Sequence, residues 1–126
     1  MHDTPQRSPQ RRQSVAHLLV LRKRGRITEV LLQRRAADAS LMAGMLELPE
    51  LPLAAVEELE PTLQVKHSIT NTNFAVQIYE DRSLLAELAA AKQKLQWVQV
   101  KKLHELPLTG LARKVLQRLQ VMPKSR

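Results

Sequence analysis

The sequence has no cysteine, and its 126 residues include only three glycines and a single Phe, Tyr and Trp each. Without cysteine, the chain by itself holds no disulfide, thiolate zinc site, iron–sulfur cluster or cysteine nucleophile. The glycines, Gly25, Gly44 and Gly110, are isolated, so no glycine-rich phosphate loop is present. With aromatics this scarce, Leu, Val and Ala must fill the core. No apolar run is long enough to cross a bilayer. The N-terminus lacks the apolar stretch of a secretory signal, and a soluble intracellular protein is expected. His2, His17, His67 and His104 show no metal-ligand spacing, and no nucleophile elbow of the hydrolase type occurs.

What the chain has in excess is positive charge. Lys and Arg outnumber Asp and Glu by 20 to 12, a formal charge of +8. That balance favours a polyanionic partner: nucleic acid, an acidic membrane surface or an acidic protein. The length suits one domain with one core. Residues 1–13 are polar, basic and broken by Pro5 and Pro9, and read as a flexible arm or linker remnant whose Arg7, Arg11 and Arg12 are available to phosphates. The domain is expected over 14–121, with 122–126 as a tail.

The most informative stretch is His67–Tyr79. Apolar residues occupy odd positions up to Ile69, with Val65 before it, and even positions from Phe74 through Val76 and Ile78. Side chains of one strand alternate strictly, so the chain must turn between the two sets. Two antiparallel strands are expected, about 63–69 and 74–80, joined by the tip Thr70, Asn71, Thr72, Asn73. Asn tolerates the left-handed conformation that a tight turn requires. The tip is either an ordinary turn or an uncharged hydrogen-bonding finger suited to a nucleobase edge.

Elsewhere, V-A-H-L-L-V-L within 14–21 reads as a buried strand, with His17 as a satisfied core histidine. R-K-R-G-R at 22–26 reads as a basic turn, and 27–35 as the returning strand. Residues 36–44 form a loop with some helical content, M-L-E-L-P at 45–49 a short strand, and 53–60 an amphipathic helix stopped by Pro61. Ser83 is the expected N-cap of the helix that follows, 95–100 a last strand, and 101–105 a helical turn. Thr109 caps a helix with Leu108, Leu111, Ala112, Val115, Leu116 and Leu119 on one stripe. The fold class is α+β, a mixed sheet flanked by helices.

The acidic positions Glu47, Glu50, Glu57, Glu58 and Glu60 are the one candidate for a hard metal, and Glu57 and Glu60 stand three apart as on one helix face. A solvated helix face is the preferred reading, with no metal site. The order of elements, with a short helix after a strand ending in proline, resembles the Nudix hydrolase fold. That family's box reads G-x5-E-x7-R-E-x2-E-E-x-G, its glutamates holding magnesium. Gly44 and Glu50 fit the opening spacing; Glu58 falls at the Arg position, Leu59 at the next Glu, and Thr62 and Leu63 at the glutamate pair.

Three segments carry a second resemblance. V-L-L-Q-R-R (30–35) with A-G-M-L-E-L-P (43–49), then H-S-I-T-N (67–71), then W-V (97–98) with L-P-L-T-G-L-A-R-K-V-L (106–116), are similar in order and spacing to the C-terminal domain of A/G-specific adenine DNA glycosylases of the MutY type. The resemblance implies a Nudix-like domain without hydrolase activity that recognises 8-oxoguanine opposite adenine in base excision repair. Catalytic residues and cofactors would lie in a separate N-terminal glycosylase domain, with none in this chain. The family's reading loop falls on Ile69, Thr70 and Asn71, and Arg22, Lys23, Arg24, Arg26 and Lys66 are the expected DNA-backbone contacts. The expected partners are duplex DNA carrying the 8-oxoguanine–adenine mismatch and the glycosylase domain, with no membrane, as a monomer in the bacterial cytoplasm with the nucleoid. Two alternatives stand beside this reading: a free-standing Nudix hydrolase acting on oxidised nucleotides with a variant metal site, and a basic interaction module with no substrate.

Overall fold

The apolar run after residue 14 is buried on both sides, and the architecture follows from that. In a computed structural model, which describes residues 11–35, 43–69, 71–90 and 94–122, Ala16, Leu18 and Val20 pack in one apolar cluster with Leu31, Leu51, Val56, Tyr79, Leu84 and Leu88. Leu19 belongs to a second, larger cluster with Val30, Leu32, Leu46, Val65, Val76, Ile78 and Val98. Alternating side chains feed two cores only when both faces of the strand are covered, and this is why the run is continuously apolar.

The strands are β1 Arg11–Leu18, β2 Leu21–Arg24, β3 Ile27–Arg34, β4 Leu46–Glu47, β5 Glu50–Leu51, β6 Leu63–Ile69, β7 Thr72–Tyr79 and β8 Leu95–Gln99; the α-helices are α1 Leu85–Ala90 and α2 Gly110–Arg118. The first sheet has the order β5-β1-β7-β6. In it β1 runs parallel to β7, Arg11 opposite Thr72 and Leu18 opposite Tyr79. The second sheet centres on β3, which pairs with β2 over 27–30 and β4 over 33–34 along one edge, and with β8 along the other. The class is the expected one, α+β with a mixed sheet flanked by helices.

Several boundaries differ from the sequence reading, each for a local reason. The chain is already paired at Arg11, inside the stretch expected to be a free arm, because backbone pairing with β7 does not depend on polar side chains. The single strand expected over 14–21 is two: after Leu18 the chain leaves the first sheet, Leu19 N donating to Tyr79 O, and joins the second, where Leu31 N donates to Val20 O. Segment 53–60 is not an amphipathic helix. Only Leu53–Val56 coil, as a 3-10 turn. Leu53 and Leu59 stay exposed and of the turn only Val56 is buried, so the apolar stripe that would hold a helix finds no core to pack on. The cap before α1 is Asp81, not Ser83: its carboxylate accepts from Ser83 N at 2.9 Å and Ser83 Oγ at 2.7 Å, which holds its pKa below the usual value, and Arg82–Leu84 form a 3-10 turn. Strand β5, between Pro49 and Pro52, is an addition to the expected set; it adds to β1 through Leu51 and Glu50. The loop with helical content expected at 36–44 lies mostly outside the described residues.

Helix α2 forms as expected. Thr109 Oγ1 accepts from Ala112 N at 3.1 Å, and Leu111, Ala112, Val115 and Leu116 are buried against the larger core. Its N-terminus is tied to β4: Thr109 N donates to Leu46 O, and the Thr109 hydroxyl donates to Glu47 Oε2 at 2.7 Å. The other Glu47 oxygen accepts from Leu48 N. His17 is the satisfied core histidine expected, 4 % exposed with Nδ1 2.8 Å from Leu48 O.

Candidate functional site

The turn inferred from the change of parity is present. Val65 pairs with Val76, His67 with Phe74 and Ile69 with Thr72, so odd residues of β6 face even residues of β7. The connection is the two residues Thr70 and Asn71, two fewer than expected. Thr72 and Asn73 are drawn into the ladder because Thr suits a strand and Ser68 Oγ donates to Asn73 Oδ1 at 2.6 Å across it.

Because pairs alternate, the hairpin sends two sets of side chains to opposite faces. Val65, Val76, His67 and Phe74 belong to the inner face. Lys66, Ser68, Asn73 and Ala75 belong to the outer one. Strand β1 extends both sets, since Arg12 is opposite Asn73, Gln13 opposite Phe74 and Ser14 opposite Ala75. Further along β1 and β7 the outer face is covered by the smaller core, which packs Ala16, Leu18 and Tyr79 against Val56, Leu84 and Leu88. Near the hairpin tip its described residues Arg12, Ser14, Lys66, Ser68 and Ala75 are exposed. There a cleft of about 560 Å³ is lined by Arg12, Gln13, Ser14, Lys66, His67, Ser68, Asn73, Phe74 and Ala75. Its walls carry two cations, hydroxyls and amides, and no carboxylate.

On the inner side of the same strands lies a smaller pocket of about 220 Å³. Its lining includes Gln13, His17, Arg35, Glu47, Glu50, His67, Thr109 and Gly110. His67 stands between the two clefts. Burial and then the nearby Lys114 ammonium lower its pKa from the usual histidine value, against a smaller opposing pull from Glu47. Lys114 also braces the hairpin from α2, donating from Nζ to Lys66 O at 2.7 Å.

The residues expected from sequence fall in two separate places. Lys66 lines the outer cleft, and Asn71 is exposed at the tip beside it. Thr70 and the side chain of Ile69 lie outside the described residues. Arg22, Lys23, Arg24 and Arg26 are at the other end of the molecule. Strand β3 starts just beyond their turn and ends next to Arg35, which lines the inner pocket with Gln13 and Phe74. Eight strand residues at about 3.3 Å each separate the two ends by roughly 26 Å. Arg22 is also engaged: its Nε is 2.7 Å from Glu29 Oε1, and its guanidinium lies 4.1 Å over the Trp97 ring. Ser14 and Ser68 were not singled out from sequence as site residues; Arg12 was expected to meet phosphates only as part of a flexible arm, and Asn73 only as part of the tip, whereas both line the cleft from within strands. Polar residues at every second position of β1 and β6 were the available signal; the parallel β1–β7 pairing that gathers them was not.

Of the five glutamates, only Glu47 and Glu50 share the inner pocket. Glu47 is buried in the cap of α2, while Glu57, Glu58 and Glu60 are exposed after the 3-10 turn. Among the described residues no group of three or more His, Asp or Glu side chains is placed to hold a metal ion. No described helix is long and apolar enough to cross a membrane.

No family model and no curated protein matches the sequence. Solved structures do match the fold. A Nudix hydrolase from M. smegmatis, RenU, aligns with a TM-score of 0.50 at 21% identity, over 86% of this chain and 84% of that one. Shewanella oneidensis NrtR, solved in complex with a 27mer DNA, aligns with a TM-score of 0.53 at 14% identity, over 82% of this chain and 62% of that one. The two sheets and the capped terminal helix thus belong to a Nudix-like fold.

Proposed function

We propose that this chain is a DNA-lesion recognition domain, the part of an adenine DNA glycosylase that recognises 8-oxoguanine opposite adenine, and that it is not itself catalytic. One observation carries the reading: near the tip the outer face of the first sheet is polar and cationic among the described residues, and it runs up to the exposed Asn71. Arg12 and Lys66 suit phosphates, which position a duplex without reading its sequence. Asn71 offers an amide donor and acceptor where a base edge would meet the tip. Two of the motifs similar to the glycosylase family support it further: H-S-I-T-N covers the end of β6 and its tip, and L-P-L-T-G-L-A-R-K-V-L covers the capped start of α2, whose Lys114 braces the hairpin. That Glu57, Glu58 and Glu60 do not line the inner pocket with Glu47 and Glu50 supports a binding role over hydrolysis.

A second reading has its own observation. The inner pocket holds Glu47, Glu50 and Arg35 in a Nudix-like fold, which suits a hydrolase of oxidised nucleotides. One pair of experiments separates the two. The chain, alone and joined to a glycosylase catalytic domain, is titrated with duplexes containing 8-oxoguanine–adenine, guanine–adenine and guanine–cytosine pairs. It is also incubated with 8-oxo-dGTP and magnesium. The lesion reading expects preference for the first duplex, reduced uniform binding in Arg12→Ala/Lys66→Ala, and no nucleotide turnover. Turnover abolished in Glu50→Gln, with no duplex preference, would establish the hydrolase instead.

A further inference from the structure

The cations at the turn of β2 and β3 sit too far from the hairpin tip to serve the same contact, and they are not solvated at random. The turn is rigidly based. Arg22 is held by Glu29 and Trp97, and Gly25 takes the left-handed conformation, φ +64, that lets two residues close the strands. Beyond that base Lys23, Arg24 and Arg26 are all exposed. Strand β8 runs beside β3, and the 3-10 turn after it, Val100–Glu105, brings Lys101 and Lys102, also exposed, next to them. A cleft of about 240 Å³ opens between the two segments, lined by Arg26, Ile27, Thr28, Val100 and Lys101. Of the two acidic residues in these segments, Glu29 is paired with Arg22, and Glu105 stands exposed at the far end of the 3-10 turn, outside the cleft lining. None of the five cations has an ion-pair partner among the described residues.

We propose that this far end is a second nucleic-acid contact, holding the sugar–phosphate backbone of a strand segment other than the one on the lesion-reading face. The class of partner rests on the nucleic-acid reading above; the existence of a second contact rests on the separation of the ends. Uncompensated cations supply the phosphate contacts. Ile27, 39 % exposed at the rim of the cleft, offers an apolar surface to a sugar, and Thr28 a hydroxyl to a phosphate oxygen. Cations, one hydroxyl and apolar surface are the groups that suit a sugar–phosphate backbone, and the contact proposed is to that backbone. The chain therefore bridges two segments of DNA.

The test uses the full chain and a duplex of about ten base pairs, one helical turn. At low salt the wild-type chain should bind two such duplexes. Arg26→Ala/Lys101→Ala should bind one. Its slope of log affinity against log salt should fall by up to about 1.8, at roughly 0.9 for each phosphate left without its cation. Arg26→Lys/Lys101→Arg should restore both. A wild-type stoichiometry of one, or an unchanged slope in the alanine variant, would overturn the proposal. So would a failure of that variant to bind phosphatidylserine vesicles with duplex binding intact, which would make the patch a membrane contact. Lesion preference is read in the same titrations. If it is absent while the far-end variant still drops to one duplex, the lesion reading fails and this contact stands. If it is present while the far-end variant changes nothing, only this contact fails.

Discussion

Replacing Thr109 with alanine should damage more than one helix cap. The hydroxyl works in both directions: it accepts from Ala112 N at 3.1 Å and donates to Glu47 Oε2 at 2.7 Å. Both residues are buried, Thr109 at 2 % and Glu47 at 5 % exposure. Loss of a threonine cap costs about 1 kcal/mol. Removing the donor from a buried carboxylate oxygen adds roughly 1–3 kcal/mol. Thr109→Ala should therefore destabilise the domain by about 2–4 kcal/mol, a drop in the urea midpoint on the order of 1–2 M for the usual slope of small domains. Thr109→Ser keeps the hydroxyl and should stay within about 1 kcal/mol of wild type. In a Glu47→Gln background the cost of Thr109→Ala should shrink, with a coupling of about 0.5–3 kcal/mol as for contacting residues. The assay is urea unfolding of the four variants. Equal midpoints for the alanine and serine forms would refute the two-way role of the hydroxyl. The matter reaches function because α2 also carries Lys114, whose bond to Lys66 O braces the hairpin.

Three further outcomes follow from the geometry. Asn71→Ala should lower preference for the 8-oxoguanine duplex by about 5- to 150-fold, the worth of one good bidentate base contact, and leave the melting temperature unchanged; duplex titration and a melting curve check it. Arg22→Ala should cost about 1–2 kcal/mol of stability by removing the Trp97 stacking and the Glu29 pair; by freeing the Glu29 carboxylate at the base of the turn it should also weaken duplex binding at that end while leaving lesion preference alone, as measured by unfolding and by titration. His67, whose folded pKa lies below its unfolded 6.5, binds more protons unfolded than folded; its share of stability is complete above pH 6.5 and is lost as pH falls below it. Urea midpoints from pH 7.5 to about 5 should decline less in His67→Gln than in wild type.

Much of this fold was legible where the deciding contacts are local. The parity change between Ile69 and Phe74 gave the hairpin its register, since one residue of slip would have turned Val65 and Val76 out of the core. Helix α2 was legible because cap and stripe lie within a dozen positions. What escaped was set by distant partners. Nothing near Arg11–Gln13 says that those residues pair in parallel with residues about sixty positions later, and it is that pairing which brings Arg12 and Ser14 to the outer cleft. Segment 53–60 differs for another reason: its composition favours a helix, but Leu53 and Leu59 meet no core, and only Val56 is buried. The basic residues were legible as a class. Their division between two ends was not, because it depends on the length and direction of β3.

The parallel pairing of β1 with β7 also dictates an order of assembly. Strands β6 and β7 are joined by two residues and close on the microsecond scale of hairpins. Strand β1 has only the two-residue β5 on one edge until β7 exists, so on a ribosome its other edge waits unpaired while some fifty further residues are made. A nascent chain that stops before residue 72 thus exposes a strand apolar on both faces with a free edge, the combination most prone to pair with another chain. Arg11, Arg12, Gln13 and Ser14, polar residues at the leading end of that strand, keep the waiting edge soluble before they ever meet a partner.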